Sequence, residues 1–399
     1  HQHPLTNAEI PSQQPWYKTP DYLDSQGDPR TLWEPSRAAW AIDIARAQAR
    51  GLISNGRELY WQWLDSWMEA NQPFRGFQWK CGQEAAVRFI AVTIGFWTVE
   101  HPETLTLERY EQFARLAWAT GYRIYHHITY AVSQKNNHAI SEACGLILIA
   151  HLFPGFRQAG KWRRKGRTVL ARELKRQIYA DGSYLQQSFN YQRVMMQGAL
   201  LAIRIAELED DPFERELYML LERCVHFLYQ MMDPVSGSMP RYGANDGAWI
   251  LPLNECEFWD FRPLLQSVHY LVHRNRLFEP GPWDEDCIWL FGNKALKAPR
   301  TERKKQQSSR FDSGGYYTLH SSNSWAMLRC HTYKDRPGHA DQLHVDLWYK
   351  GKNIFRDCGT YQYYLPENPG LENYFDSTAA HNVIRIDRDE PMEKVSRFM

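Results

Sequence analysis

The chain has 399 residues, 43% hydrophobic and 23% charged, and its 47 basic and 46 acidic side chains leave a net charge of +1. That length accommodates two domains of ordinary size, and the composition is that of a folded globular protein rather than a disordered one. A balanced charge excludes a global pull toward nucleic acid or an anionic membrane, so a polyanionic ligand has to be met by a local basic cleft.

Residues 1–34 are rich in Pro, Gln and Asp and read as an extended arm leading to Trp33-Glu34-Pro35. From Ser36, a candidate cap, apolar residues recur at three- and four-residue intervals. The spacing predicts a helix carrying Ala39, Trp40, Ile42, Ile44 and Ala45, then helices near 57–70, 83–99, 106–132, 139–152, 161–179, 191–209, 213–232 and 256–276. Breaks at Asn71-Gln72-Pro73, His101-Pro102, Phe153-Pro154-Gly155 and Asp210-Asp211-Pro212 punctuate them. Residues 280–305 read as a loop-rich passage ending in a solvated charged run. After it the period changes to two, which predicts strands within 315–320, 324–330, 343–349, 353–357 and 382–387, with a tight hairpin turn at Lys350-Gly351-Lys352. Helices followed by strands imply separate layers or domains: an arm over 1–34, an all-α domain over 35–299 and a β domain over 306–399. The chain stops without a closing strand, and it begins with His rather than Met. The expectation is therefore a truncated β-sandwich and a missing natural start, with oligomeric state unread.

No run reaches the roughly 18 apolar residues that a membrane span requires. Seven scattered Cys (81, 144, 224, 256, 287, 330 and 358) form no CxxC and read as buried thiols. The 16 Trp, 22 Tyr and 18 Phe read mainly as core, with some surface left for stacking on sugar rings.

Four polar clusters exceed what connectors need. Asn136-Asn137-His138 stands before the apolar run 139–150; either Asn can cap the helix, and the remaining amide and imidazole are surplus. Asp181-Gly182-Ser183 is a turn, followed by Asn190, a plausible cap, with Tyr191 and Arg193 in the first turn of the next helix. Arg241-Tyr242-Gly243-Ala244-Asn245-Asp246-Gly247 is the third cluster. The fourth is His339-Ala340-Asp341, then His344 and Asp346, then Asp357 and His381-Asn382, a His/Asp set that can build a metal site once folded. Alternation puts His344, Asp346 and Trp348 on one strand face, which reads equally well as an ordinary solvated face.

As an ordered set, Asn-Asn-His before a helix, Asp-Gly-Ser then Asn-Tyr-x-Arg, Asn-Asp-Gly, His-Ala-Asp-Gln-Leu, Asp-x-Gly-Thr-Tyr and Ala-His-Asn resemble the heparinase II/III family of polysaccharide lyases over about residues 30–395. The resemblance implies an (α/α) toroid followed by an antiparallel β-sandwich, and β-elimination on a uronic-acid polysaccharide or oligosaccharide. Asn137 then matches the amide that neutralises the substrate carboxylate, with His138 beside it as a second donor or as base. Tyr191 matches the tyrosine that takes the C5 proton or protonates the leaving oxygen. Arg193 and Arg241 are candidates for holding carboxylate or sulfate, with Tyr242, Asn245 and Asp246 beside them. His339, Asp357 and His381 match the ligands of a structural Zn²⁺ or Ca²⁺, and no organic cofactor is implied. Family members carry His-x-His-x-Asp where this chain has Pro337-Gly338-His339-Ala340-Asp341; His344 is the residue that could replace the missing histidine. A secreted or periplasmic location follows from the implied function alone.

Two other classes compete. A hydrolase on the same scaffold needs paired carboxylates, for which Asp181, Asp246 and Glu142 are the candidates. A non-catalytic glycan-binding protein fits the absent histidine but not the retained Asn137, His138 and Tyr191.

Overall fold

The structure is a computed structural model that describes residues 12–20, 28, 30–302, 305–333, 338–365, 368–387 and 390–392. Pro337, part of the charged run at 303–304, and the final residues 393–399 lie outside the described residues, as does most of the proposed arm. The chain divides into two compact units: the part up to Glu173 with Trp249–Leu253, and Leu174–Ala248 with Asn254 onward. This division follows contacts, whereas the partition at 299/306 follows element type.

The first unit is helical. It contains α1 (Arg30–Ser36), α2 (Ala39–Ala49), α3 (Gly56–Ala70), α4 (Gly82–Val99), α5 (Leu107–Ser133), α6 (Asn137–Leu152) and most of α7 (Ala159–Gln177). α4 packs against α2, α3, α5 and α6. Its buried set runs nearly all the way round, from Ala85 and Phe89 to Ile90 and Phe96, as a helix surrounded by neighbours requires. α6 is buried from Ala139 to Ala150 for the same reason. Each Ile or Leu so buried contributes roughly 1.5–3 kcal/mol.

Two expectations fail near the start of this unit. Residues 30–34 are not extended, because the Asp28 carboxylate accepts from the Arg30 backbone N–H and starts α1, which runs through Pro35 and stops one residue later. Ser36 ends that helix rather than capping the next; Ala38, in the left-handed region, precedes α2 without a side-chain cap.

The second unit combines α8 (Phe189–Leu208), α9 (Arg215–Met231), α10 (Arg262–His273) and α11 (Glu285–Phe291) with a sheet and the short α12 (Pro369–Tyr374). β1 (Ser309–Phe311), β2 (Tyr316–His320), β3 (Ser324–Arg329), β4 (Val345–Tyr349) and β5 (Lys352–Phe355) form one antiparallel sheet in sequential order. Lys350 and Gly351 both have positive φ, 48° and 79°, the conformation a two-residue hairpin with the proper twist demands. Phe227 of α9 meets Phe311 and Tyr316 of the sheet at ring separations of 5.1 and 5.0 Å.

Here too the structure departs from the sequence reading. α10 begins at Arg262, not near 256, since Pro263 is preset for a first helical turn and the Asp260 carboxylate accepts from the Arg262 N–H. The passage after 280 holds α11 instead of loop only. Residues 382–387 form no strand: Val345 N–H donates to Asn382 O, but Ile384 and Ile386 are 76% exposed. The face of His344, Asp346 and Trp348 is buried rather than solvated, and Leu343 on the opposite face is half exposed. Among the described residues the β region is one five-stranded antiparallel sheet, in keeping with the expected fold class. The expected buried thiols are buried at Cys144, Cys224 and Cys287, while Cys330 and Cys358 are exposed.

Candidate functional site

In the first unit the polar residues gather where α4 and α6 begin. The Asn136 carboxamide oxygen accepts from the His138 N–H at 3.0 Å, which makes Asn136 the cap and releases Asn137 from that duty. Asn137 is buried, and its amide donates to Gln83 Oε1 at 2.6 Å, an orientation fixed by a group that carries no titratable proton. His138 is half-buried, with Nδ1 3.7 Å from Cys81 Sγ. One turn further on, the Glu142 carboxyl lies against the backbone of Gly82, where a Cβ would sit 2.5 Å from Glu142 Oε1. Burial pushes Glu142 up to about 8, against the opposing charge of Arg123, and its Oε2 lacks a hydrogen-bond partner. Arg123 is itself committed, donating to the carbonyls of Trp79 and Lys80 and lying over the Trp16 ring at 3.7 Å.

In the second unit, Ser188 caps α8 and not Asn190 as expected. The Ser188 hydroxyl accepts from the Tyr191 N–H at 3.1 Å and donates to Ala244 O at 2.6 Å. Gly243, at φ 82°, is what lets this loop lie on α8's entrance: a Cβ there would be 2.2 Å from Gln187 O. Tyr191 is half-buried, and its hydroxyl is 2.9 Å from that of Tyr363. The sequence offers Arg193, two residues on, as a holder of substrate carboxylate or sulfate. Arg193 does not serve that way: its guanidinium is buried, donates to Phe258 O and to Asn190 Oδ1, and lies over the rings of Phe258 and Phe261. Burial brings it down to about 9, with Asp286 as its opposing charge. That placement locks α8 to the segment at 258–261 and turns the side chain away from solvent.

The other expected ligand contacts divide in the same way. Tyr242 is buried, its hydroxyl accepting from Arg329 Nε at 2.8 Å. Arg329 donates also to Gly314 O, Gly315 O and Gln187 Oε1, so Tyr242 belongs to a saturated internal network. Asn245 and Asp246 are half-buried turn residues; the Asn245 N–H donates to Thr360 Oγ1, and the two carbonyl-type side-chain oxygens accept from Gly247 and Ala248. Arg241 alone of the set is exposed, beside Trp259, its proton affinity lowered first by partial burial and then by the charge of Arg356. Asp181, a candidate hydrolytic carboxylate, is occupied by Ser183 and the Gly314 N–H.

The histidines and aspartates of the sheet do converge. Donor atoms of His344, Asp357 and His381 lie within 4.8 Å of one another, all buried. His381 Nδ1 is 2.7 Å and His344 Nδ1 3.7 Å from Asp357 Oδ2. His339, the ligand the resemblance assigns, stacks on His381 at 5.1 Å with Nε2 3.7 Å from Asp376, so by spacing His344 takes its place in the triad. Burial alone would raise Asp357; the hydrogen bond from His381 and the neighbouring imidazole charges hold it below the ordinary carboxylate range. Burial brings His344 down to about 4, while the bond to Asp357 raises His381 despite burial. His344 Nε2, His381 Nε2 and His339 Nδ1 are buried ring nitrogens without hydrogen-bond partners. Orphaned lone pairs of that kind are costly, and an ion would satisfy them. Two imidazoles and a carboxylate suit Zn²⁺, whereas Ca²⁺ takes oxygen ligands.

Sequence reasoning missed Tyr363, Gln83 and Arg123 altogether. Tyr363 had a signal, two residues beyond Tyr361 in the Asp-x-Gly-Thr-Tyr stretch; Gln83 had none.

Residues 14–252 match the family model described as heparinase II/III N-terminus, and residues 303–399 that described as heparinase II/III-like, C-terminal. The chain belongs to the heparinase II/III family. It is 25% identical over 276 residues to a heparin-sulfate lyase of Bacteroides stercoris, covering 65% of this chain and 37% of that protein. A heparin-sulfate lyase of Bacteroides thetaiotaomicron is 22% identical over 295 residues, covering 68% and 40%. The chain thus spans well under half the length of these curated relatives. Among solved structures, heparinase III superposes with a TM-score of 0.66 at 16% identity, over 94% of this chain and 57% of that one. The heparan sulfate lyase of Pedobacter heparinus superposes with a TM-score of 0.54 at 21% identity, over 92% and 54%. The expected fold class, helices followed by an antiparallel sheet, is therefore the one observed. No described helix is long and apolar enough to cross a membrane.

Proposed function

We propose that the protein is a polysaccharide lyase acting on a heparin- or heparan-type polysaccharide and cutting it by β-elimination. The observation that carries this is the match of both family segments together with relatives that are heparin-sulfate lyases. The C5 proton of a uronate becomes removable when its carboxylate is neutralised by fixed donors. Asn137 is suited to that task, because Gln83 holds its amide in one orientation. His138 beside it supplies a second donor, and Tyr191 the hydroxyl that exchanges protons with C5 and the leaving oxygen. Arg241 and Arg356 offer exposed positive charge for carboxylate or sulfate.

A zinc ion held by His344, Asp357 and His381 would act as a structural cross-link, joining the residue that precedes β4 to the segments at 357 and 381. A polysaccharide of this kind would be met in the periplasm or outside the cell, which supports such a location for the working protein.

The test is near-ultraviolet absorbance of unsaturated uronate during incubation with heparan sulfate, heparin, hyaluronan and alginate. A rise on the sulfated glycosaminoglycans, absent with Tyr191→Phe, is expected. New reducing ends without that absorbance would overturn the reading in favour of hydrolysis.

A further inference from the structure

The geometry points to a two-tyrosine proton relay, in which Tyr191 takes the C5 proton and Tyr363 delivers one to the leaving oxygen. This rests on the elimination reading above. It starts from a contact of the Tyr191 hydroxyl with a second phenol, that of Tyr363, at 2.9 Å.

The backbone that carries each tyrosine is anchored within the second unit. Tyr191 is the third residue of α8, and the Ser188 cap on its own N–H fixes where that helix starts. Tyr363 ends a short anchored segment. Asp357 Oδ1 accepts from the Gly359 N–H at 2.7 Å, and Thr360 Oγ1 accepts from the Asn245 N–H at 3.0 Å. Three residues on, the chain delivers the Tyr363 hydroxyl to Tyr191. Both tyrosines are only half-buried, so a ligand can reach the pair. The hydroxyls at the centre of Tyr242 and Tyr316, by contrast, belong to fully buried side chains next to Arg329, out of reach of any polymer.

A pair of phenols suits elimination better than a single one. An isolated tyrosine ionises near pH 10, roughly three units above neutrality. A hydrogen bond donated to the phenolate favours the charged form, and a neighbouring phenol is such a donor. With one proton missing from the pair, Tyr191 as phenolate accepts the C5 proton. The C5–H electron pair becomes the C4=C5 double bond, and the C4–O4 bond breaks with its electrons going to O4. O4 takes the proton of the Tyr363 hydroxyl and leaves as the new reducing end. Tyr363 is then the phenolate and Tyr191 the phenol. A proton hop along the 2.9 Å contact restores the starting pair, so no outside oxidant, reductant or base is consumed.

The division of labour can be tested by changing the leaving group. Tyr363→Phe removes one oxygen atom and keeps the ring. On heparan sulfate its kcat is expected to fall by about 100-fold or more with KM held within about twofold, the pattern of a lost proton transfer. On a uronoside bearing a nitrophenyl ether at C4, whose leaving group needs no proton, the same variant is expected to run near the wild-type rate. Tyr191→Phe stays inactive on both. A Tyr363→Phe enzyme with the wild-type rate on polymer overturns the relay, and so does one impaired equally on both substrates, which would make Tyr363 only a positioning residue. Should the Phe variant misfold, 4-aminophenylalanine at 363 keeps a donor in place without a usable acid, and full activity of that form on polymer likewise overturns the relay. Wild-type protein that eliminates neither substrate overturns the lyase reading and the relay together.

Discussion

The entrances of α6 and α8 are built alike and finished differently. Each helix opens on a polar cap, Asn136 in one and Ser188 in the other, that satisfies a backbone N–H within the first turn. Each then presents chemistry-bearing side chains in that same turn. At α6 the amide proposed to neutralise the carboxylate, Asn137, is buried against Gln83 and has no titratable proton. At α8 the hydroxyl proposed to carry the proton, that of Tyr191, is half-exposed and touches another hydroxyl. The contrast separates two jobs that elimination needs. A fixed dipole stabilises developing charge best when it cannot move, and a proton carrier works only if its partner can exchange with it.

That comparison can be broken at either entrance. The largest expected effect is at the mobile end: Tyr191→Phe lowers kcat by about 1000-fold or more, read as the rate of unsaturated-uronate formation. At the fixed end, Asn137→Ala costs about 100-fold in kcat, and Gln83→Ala, which only frees the amide to rotate, costs less, about tenfold. Equal losses for Gln83→Ala and Asn137→Ala would make Gln83 more than a holder.

Smaller effects bear on what supports each entrance. Stripping metal with a chelator is expected to lower the thermal midpoint by several degrees, and zinc to restore it, with no response in Asp357→Asn; scanning calorimetry on the three samples decides. At α6, Glu142 keeps its proton to about pH 8 in the folded chain and loses it near pH 4.5 when unfolded. The folded state therefore binds the extra proton between those values, so stability present at acid pH is lost as pH rises through them. Glu142→Gln removes this slope, and its melting temperature should gain on the wild type steadily from pH 5 to pH 8, by the equivalent of about 2–4 kcal/mol. A constant difference across that range would contradict a buried neutral carboxyl. Removing either cap, by Asn136→Ala or Ser188→Ala, should cost only about 1 kcal/mol in urea unfolding.

Much of this was legible in the residues. Helix periodicity and the Lys350-Gly351 turn are local, and local rules located them; of the expected caps Asn136 is one, while Ser36 and Asn190 are not. The change of period after 305 announces the sheet, and the sequence names Asp357 and His381 as metal-type ligands, but with His339 where the structure brings His344 into the triad. What sequence could not supply was which way long side chains face. Arg193 looked like an anion holder because arginines on a first turn often are, but Phe258 and Phe261 draw it inward. Asp346 and His344 alternated as a polar face should, yet that face is the buried one, where burial drives Asp346 up to about 7 despite bonds from Trp348 and Asn353. Tyr363 went unremarked because its significance lies entirely in a contact with a residue 172 positions away.

The central claim is that the chain breaks its polymer by elimination, without adding water. The most direct measurement takes one heparan oligosaccharide of defined length, digests it with the wild-type protein, and weighs every fragment by mass spectrometry. The account predicts fragment pairs whose masses sum to that of the parent, one member of each carrying the unsaturated uronate. Pairs that sum to the parent plus one water would contradict it.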